Sequence, residues 1–370
     1  IVYDAERCVM CTRCIRVCDE LVGDHVLDMR QRGNQNEIVL APGRQLDHKY
    51  SLMTEHVCPV GALTSRDFRF KARVWFLKSQ PGVCVGCATG CNTHVDFDPR
   101  YGRVYRLRPR DNESVNKFWM CDDGMMTYRE VHENRVLVGL EGRGSSRDAV
   151  PYEAALDAAA ANAKRVKGGK VAVVLSAHHS TEDNYAFVRF AKDVLGTDRF
   201  YLAANRGWEG DSILRNADNN PNRAGVRKAL GADPKPLADL ITAVEQAEVD
   251  AVFALGHVSA ESEEELAKFA RLDVCVVLAS NAGALTQVAG TVVPVASWAE
   301  SSGTFINAAG TAQGYRRAIP AQGRIQPAWL TLHEVAKRAG VSLGAATLQD
   351  VRGAIGLGAQ EAALTAGASA

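Results

Sequence analysis

Excess charge, long apolar runs and nucleotide-binding motifs are all missing from this sequence of 370 residues. Its 43 Lys and Arg side chains balance 43 Asp and Glu side chains, so we expect no nucleic-acid partner and no direct binding to an anionic membrane. No apolar run reaches the roughly 18 residues that a membrane span needs, and no secretory signal is visible. A Walker loop is missing, and Gly139, Gly142 and Gly144 have the wrong spacing for a dinucleotide loop.

Cysteine is present in number, but its distribution is uneven. All but one of the ten cysteines precede residue 122, and the exception, Cys275, lies in an apolar run that is typical of a buried strand. A disulfide scaffold is usually small and secreted, with cysteines spread along the chain. Clustered cysteines in a chain without a secretory signal indicate metal sites in a reducing compartment instead.

The first cysteine set consists of Cys8, Cys11, Cys14 and Cys58. The first three have Cys-x2-Cys-x2-Cys spacing, which wraps one iron–sulfur cube and directs backbone amides toward its sulfides. A cube has four irons, and the remote ligand of ferredoxin loops is typically a Cys followed by Pro, as Cys58 is followed by Pro59. This set therefore predicts a [4Fe–4S] cluster.

Cys18 requires a separate interpretation. In a two-cluster ferredoxin it would be the fourth Cys of a Cys-x2-Cys-x2-Cys-x3-Cys-Pro motif and would bind a second cluster. Here Asp19 replaces the Pro, and no other three-cysteine run precedes Cys58. We therefore expect Cys18 to be a buried free thiol.

The second cysteine set consists of Cys84, Cys87, Cys91 and Cys121. Its spacing is Cys-x2-Cys-x3-Cys with a distant fourth Cys, and the segments 93–97 and 102–107 alternate like a hairpin that would return Cys121 to the loop. Zinc ribbons usually pair two Cys-x2-Cys knuckles, so the spacing favours a second [4Fe–4S] cluster over the alternative of a tetrahedral zinc site. The hairpin is rich in arginine, with Arg100, Arg103, Arg106, Arg108 and Arg110. These side chains either form a solvated basic face or have a function, which would be to tune the potential of an anionic cluster or to bind an acidic neighbour.

From about residue 141 the pattern changes to Ala-rich helices alternating with Val-rich strands. Helices are predicted at 152–166, 181–195, 236–247 and 263–270, and strands at 171–175, 200–202, 250–255, 274–278 and 291–295. Continuous apolar strands between helices predict a parallel, doubly wound α/β domain. His178 and His179 follow a predicted strand, where turn histidines are more often structural than functional.

Several stretches closely resemble the large iron–sulfur subunit of the bacterial NADH–quinone oxidoreductases, respiratory complex I. They are residues 6–16, 57–64 and 68–73. Residues 297–313 resemble the closing segment of that subunit's molybdopterin-oxidoreductase-like domain. The fold implied is α/β: a small ferredoxin-like 4Fe–4S module (1–73), a small β-rich 4Fe–4S domain (74–140), a doubly wound α/β molybdopterin-oxidoreductase-like domain (141–343) and an Ala/Gly-rich tail (344–370).

The resemblance implies an electron-transfer subunit of a redox enzyme, without bond-making catalytic residues of its own. The first set would hold a [4Fe–4S] cluster on the path from flavin to quinone, and the second an extra [4Fe–4S] cluster off that path. The partners would be the NADH- and flavin-binding subunits and the quinone-side iron–sulfur subunits of the peripheral arm. That arm lies at the cytoplasmic face of the bacterial inner membrane and meets the membrane only through the complex.

Two further expectations follow from the resemblance. Family members carry a [2Fe–2S] domain and a further [4Fe–4S] segment before the part seen here, so we expect the numbering to begin inside a longer natural chain. Molybdenum enzymes with a similar second motif have a Lys where Asp123 stands, so no molybdopterin is expected. The alternatives are a fragment of a molybdenum-dependent formate dehydrogenase α chain and a structural zinc-binding protein.

Overall fold

A computed structural model of the chain describes residues 1–258, 260–345 and 347–357. The chain forms two compact units. The first comprises residues 1–128 together with 209–217, and the second comprises 129–208 and the residues from 218 onward. No helix in the described ranges is long and apolar enough to cross a bilayer.

The N-terminal part of the first unit folds around the segment from Cys8 to Cys14, which we call the cysteine loop although Cys14 already belongs to the helix that follows. Its elements are β1 (Val2–Tyr3), α1 (Arg13–Arg16), β2 (Leu27–Arg30), β3 (Glu37–Leu40), α2 (Met53–Val57) and β4 (Leu63–Thr64). β1 pairs antiparallel with β4, and β2 pairs antiparallel with β3. The β1–β4 pair brings the chain just after Cys58 back beside the start of the cysteine loop.

The rest of the first unit contains a three-stranded antiparallel sheet and one short helix. The elements are β5 (Lys78–Val83), β6 (Asn92–Asp98), β7 (Arg103–Pro109) and α3 (Asp122–Met126). β6 is the central strand. The sequence predicts the β6–β7 hairpin, whereas β5 contains Pro81 and Gly82 and has little strand signal. Pro is tolerated there because β5 is an edge strand.

The second unit is built on one eight-stranded sheet with the order β12-β11-β10-β13-β14-β15-β8-β9. The strands are β8 (Gly139–Glu141), β9 (Asp148–Val150), β10 (Val171–Ser176), β11 (Phe200–Ala203), β12 (Lys235–Pro236), β13 (Ala251–Leu255), β14 (Val274–Ala279) and β15 (Thr291–Pro294). Pairing is parallel from β12 through β15 and antiparallel at β8 and β9. A separate hairpin joins β16 (Gly303–Ile306) to β17 (Ala312–Tyr315).

Helices cover both faces of this sheet. They are α4 (Tyr152–Val166), α5 (Thr181–Phe190), α6 (Arg223–Leu230), α7 (Leu237–Glu245), α8 (Glu263–Ala267), α9 (Ala284–Val288), α10 (Ala328–Arg338) and α11 (Leu348–Ile355). α4, α5, α6, α10 and α11 contribute to one apolar core, and α7, α8 and α9 to the other. Alternate residues of β10 face the two cores, so the strand is buried at every position. This is the predicted doubly wound arrangement.

The described part of the C-terminal stretch assigned to an Ala/Gly-rich tail contains the helix α11. α11 is capped by Thr347, whose Oγ1 accepts a hydrogen bond from the amide of Asp350 at 3.2 Å. The Arg352 side chain donates to the buried carboxylate of Glu182 at 2.7 Å, so α11 is joined to the second unit. Residues 358–370 of the predicted tail lie outside the described residues.

Candidate functional site

The four thiols of the first set line one small cavity. Cys8 and Cys11 lie between β1 and α1, Cys14 lies in α1, and Cys58 follows the end of α2. Their exposure differs: Cys11 is exposed, Cys8 and Cys58 are half-buried, and Cys14 is buried. The structure thus brings the predicted residues together, with Cys11 on the solvent side.

The backbone of the cysteine loop is tightly curved. Met10 and Thr12 have φ angles of 55° and 61°, in the left-handed region that side chains other than Gly seldom adopt. The Met10 amide donates to the Sγ of Cys8 at 3.4 Å. The curvature therefore turns a backbone N–H toward a thiol, and such N–H groups stabilise negative charge on cluster ligands.

Cys58 is surrounded by donors as well. Burial raises the pKa of its thiol, but the backbone amides of Leu63, Val60, Ala62 and Gly61 donate to the sulfur and bring the pKa below its usual value. Four amides on one sulfur favour the thiolate form, which is the form that binds metal.

The second set is fully buried. Cys84 and Cys91 close the loop between β5 and β6 through a hydrogen bond from the Cys84 amide to the Cys91 carbonyl at 2.8 Å. Cys121 caps α3, and its Sγ accepts a hydrogen bond from the Gly124 amide at 3.4 Å. The Gly86 amide donates to the Sγ of Cys84 at 3.3 Å.

Burial and mutual repulsion act together on the second set. Burial is the main cause of the raised pKa of Cys84 and Cys91, and the neighbouring thiols raise both further. Burial also raises the pKa of Cys121 to about 12. Such thiols are uncharged near neutral pH unless a metal takes the place of their protons.

The chemistry of both sets fits a polynuclear iron–sulfur group. Each set offers four thiols, and each has backbone N–H groups directed at sulfur, which suits an anionic cluster. A zinc ion would be held by sulfurs about 2.3 Å from one centre, whereas the thiolates of a cube bind separate irons.

Asp123, which stands where molybdenum enzymes have a Lys, is held by two basic side chains of the first unit. Its Oδ2 lies 3.0 Å from the Nε of Arg215 and 3.8 Å from the Nζ of Lys49. The segment 209–217 is also joined to this unit by Tyr50, whose hydroxyl donates to Asp211 at 2.7 Å. Asp123, the residue that differs from the molybdenum-enzyme pattern, thus takes part in two ion pairs.

The arginine-rich hairpin neutralises much of its own charge. The buried carboxylate of Asp96 accepts hydrogen bonds from the Nε atoms of Arg106 and Arg108 at 2.8 and 2.7 Å. Arg100 pairs with Asp98 at 2.6 Å. Most of these guanidinium groups therefore have partners within the sheet itself.

The two remaining cysteines are buried, as the sequence predicts. Cys18 is completely buried, its Sγ lies 3.5 Å from the Nε2 of His48, and burial raises its pKa to about 12. Cys275 lies inside β14 with both neighbours buried. Burial raises its pKa to about 12 as well.

His178 occupies the topological switch point of the second unit, between β10 and β13, where ligands bind in many open α/β sheets. Its side chain is half-buried, and its Nε2 forms a hydrogen bond with the Nδ2 of Asn205 at 2.9 Å. Desolvation, with repulsion from His257 and His179, lowers its pKa to about 3. Sequence reasoning did not single out His257, which follows β13 and approaches His178 only through the fold.

The comparisons with family models agree with the predicted fold class. Residues 1–64 match the model described as NADH-quinone oxidoreductase subunit 3, ferredoxin-like domain. Residues 200–338 match the model described as molybdopterin oxidoreductase. The ferredoxin-like module and the molybdopterin-oxidoreductase-like α/β domain expected from the sequence are thereby confirmed.

Two curated relatives are named as subunits of NADH-quinone oxidoreductases. The subunit lettered G of the NADH-quinone oxidoreductase of Mycobacterium bovis is 34% identical over 203 residues, which is 54% of this chain and 25% of that one. Subunit 3 of the Thermus thermophilus enzyme is 31% identical over 192 residues, 52% of this chain and 24% of that one. The matched region is thus about a quarter of these relatives' length. Among solved structures, acetylene hydratase from Pelobacter acetylenicus has a TM-score of 0.45, 11% identity and coverage of 71% and 69% of the two chains.

Proposed function

We propose that this chain is the large iron–sulfur subunit, or part of it, of a NADH–quinone oxidoreductase, and that it transfers electrons through two [4Fe–4S] clusters. The first set, Cys8, Cys11, Cys14 and Cys58, would hold the cluster on the path to quinone. The second set, Cys84, Cys87, Cys91 and Cys121, would hold a cluster off that path. The names of the relatives support the assignment.

The observation that carries the proposal is the convergence of four thiols of the first set on one cavity. A bound cube would accept and release single electrons. The chain's contribution is to supply the thiolates, to direct N–H groups at them and to control how much water reaches them. Because Cys11 is exposed and Cys14 is buried, electrons would enter or leave at the Cys11 corner.

The α/β unit would act as a scaffold without molybdopterin. Asp123 and its ion pairs with Arg215 and Lys49 support this part of the proposal, since a Lys links cluster and pterin in the molybdenum enzymes. The partners would be the NADH- and flavin-binding subunits and the quinone-side iron–sulfur subunits, in a peripheral arm at the cytoplasmic face of the inner membrane.

Metal analysis of anaerobically purified protein tests the proposal directly. We expect about eight irons and about eight sulfides per chain, four for each cube, with the visible absorption and, after reduction, the paramagnetic signals of [4Fe–4S] clusters. Colourless protein with stoichiometric zinc would instead favour a structural zinc-binding protein. Molybdenum or tungsten in the chain would favour a formate dehydrogenase α chain.

A further inference from the structure

The first unit carries a set of exposed aromatic rings that the proposed electron transfer does not use. We call the rings of Phe70, Trp75, Phe76 and Tyr101 the aromatic surface. Phe70, Trp75 and Tyr101 are 89%, 73% and 71% exposed. Single exposed apolar side chains are ordinary, but a group of large exposed rings usually marks an interaction site.

The backbone at Phe70 is strained although its ring is exposed. Its φ angle is 63°, in the left-handed region that is a true outlier for a bulky residue. Such strain persists only where the surrounding structure enforces it, and it is concentrated at functional sites. A residue with a strained backbone and a solvent-exposed ring is suited to contact another molecule.

Guanidinium groups stack on every ring of the aromatic surface. The Arg100 guanidinium lies 3.8 Å from the ring centre of Phe76 and 5.3 Å from that of Tyr101. Arg69 lies 4.8 Å from Phe70, and Arg73 lies 5.7 Å from Trp75. Trp, Tyr and Arg are the side chains most often found at the energetic centre of protein–protein interfaces.

The charge of this segment is strongly one-sided. Five basic residues stand against the single acid Asp67 between residues 66 and 78: Arg66, Arg69, Lys71, Arg73 and Lys78. In the part of the chain that the structure describes, no ion pair joins Arg66, Arg69, Lys71 or Arg73 to an acid. The excess is local, because the whole chain has no net charge.

A cleft of about 510 Å³ opens beside Phe70. Its lining includes Phe70, Arg69, Val74, Met125 and Tyr128. The cleft is large enough to receive a side chain from a bound segment and has both apolar and charged walls.

From these observations we infer that the aromatic surface and its cleft bind an acidic protein segment of a neighbouring subunit. An apolar side chain of that segment would enter the cleft beside Phe70, and its carboxylates would meet Arg69 and Arg73. The inference rests on the proposed function in one respect, that the partner is sought within the same assembly. A nucleic acid is disfavoured because such binding requires many phosphate contacts, and the basic excess is confined to one short segment.

Hydroxyl-radical footprinting of the isolated chain and of the purified assembly tests the burial of the surface. We expect the modification rates of Phe70, Trp75 and Tyr101 to fall about tenfold or more on assembly, because interface cores exclude water. Phe118, an exposed aromatic residue of the same unit outside the surface, is the internal control and should keep its rate. Unchanged rates at all three rings would overturn the inference.

A charge test identifies the chemistry of the partner. The double variant Arg69→Glu with Arg73→Glu should weaken assembly about tenfold or more, whereas Arg32→Glu with Lys228→Glu, at two exposed basic residues outside the aromatic surface, should not. A photo-crosslinker at position 75 should attach to a segment rich in Asp and Glu, and charge reversal in that segment should restore binding of the Glu variant. Crosslinks to nucleic acid, lipid or a second copy of this chain would overturn the inference. Iron and sulfide content, measured in parallel, separates its failure from that of the proposed function.

Discussion

Gly124 stands against the thiol of Cys84: a Cβ added to Gly124 would lie 3.0 Å from the Sγ of Cys84 and 3.4 Å from the Sγ of Cys121. Gly124 lies inside α3, where Ala would be favoured over Gly by about 1 kcal/mol on helix propensity alone. Gly124 therefore allows the helix backbone to pass close to the two sulfur atoms.

We expect Gly124→Ala to lower the iron and sulfide content of the second set. The added methyl group must displace Cys84 or shift α3, and either change misplaces a ligand. Since Ala favours the helix, a loss of metal would not reflect unfolding of α3. Metal analysis and the paramagnetic signal of the second cluster are the measurements.

Gly353→Ala is the matched control for that experiment. Gly353 also lies inside a helix, α11, but a Cβ there would meet nothing within 4 Å. We expect this variant to gain up to about 1 kcal/mol of stability and to keep its full iron content. Full occupancy of the second set in Gly124→Ala would show that the steric argument is wrong.

The two cysteine sets should respond differently to mutation. Cys8→Ser, Cys11→Ser and Cys14→Ser are each expected to abolish NADH-to-quinone electron transfer, since each removes a ligand on the proposed path. Cys84→Ser should mainly reduce the yield of assembled complex, because metal binding and folding are coupled in such modules. The measurement is quinone reduction per assembled complex, alongside assembly yield.

Cys18→Ala is the control for the ligand assignment. The thiol of Cys18 is buried beside His48 rather than in the cavity of the first set, so its removal should leave both cluster signals intact. Disappearance of a cluster signal in this variant would show that Cys18 is a ligand. Equal loss of turnover per assembled complex in Cys14→Ser and Cys84→Ser would contradict the off-path role of the second set.

Short-range patterns in the sequence predict much of this structure. The helix predicted at 152–166 coincides with α4, because its apolar residues have regular helical spacing and Gly168 ends it. The next helix, predicted at 181–195, is capped by Ser180, whose Oγ accepts from the Asp183 amide at 3.0 Å. α10 was not predicted, although its buried residues Trp329, Leu332 and Val335 have helical spacing.

Contacts between distant residues were not predictable from spacing. Tyr50 and Asp211 are separated by 161 positions, yet their hydrogen bond joins the segment 209–217 to the first unit. His257 meets His178 because β10 and β13 are neighbours in the sheet. The histidine pair depends on strand order, which no local pattern in the sequence specifies.

The second unit should lose stability as the pH falls below about 6.5, the ordinary pKa of His. Desolvation lowers the folded-state pKa of His178 to about 3 and that of His257 to about 4. The unfolded chain therefore binds more protons between pH 6.5 and these values, and the free energy of unfolding decreases as protons are added. Each pH unit in this window costs up to about 1.4 kcal/mol per histidine.

His178→Gln tests this pH dependence. Gln keeps an acceptor for the Asn205 amide but cannot take up a proton. Urea unfolding followed between pH 7 and 4 should show a shallower decline for His178→Gln than for the parent chain. If the free energy of unfolding falls with pH equally steeply in the parent chain and in His178→Gln, His178 does not cause the decline.

Arg135 and Glu300 form a buried ion pair in the second unit, with 5% and 1% of their side chains exposed. The Nη1 and Nη2 atoms of Arg135 donate to the two carboxylate oxygens at 3.2 and 2.6 Å. Glu300 also accepts from the backbone and hydroxyl of Ser297. Removing one partner leaves the other charge buried, so Glu300→Ala should cost about 3–5 kcal/mol of unfolding free energy.

The double variant Arg135→Met with Glu300→Leu separates the ion pair from simple packing. Replacing both charges with apolar side chains leaves no uncompensated charge. We therefore expect the double variant to be more stable than Arg135→Met alone and than Glu300→Leu alone. The measurement is the urea midpoint at constant m-value. Glu20→Gln, which breaks the exposed Arg16–Glu20 pair, should leave the midpoint almost unchanged. A double variant that loses the sum of the two single losses would show that the charges do not depend on each other.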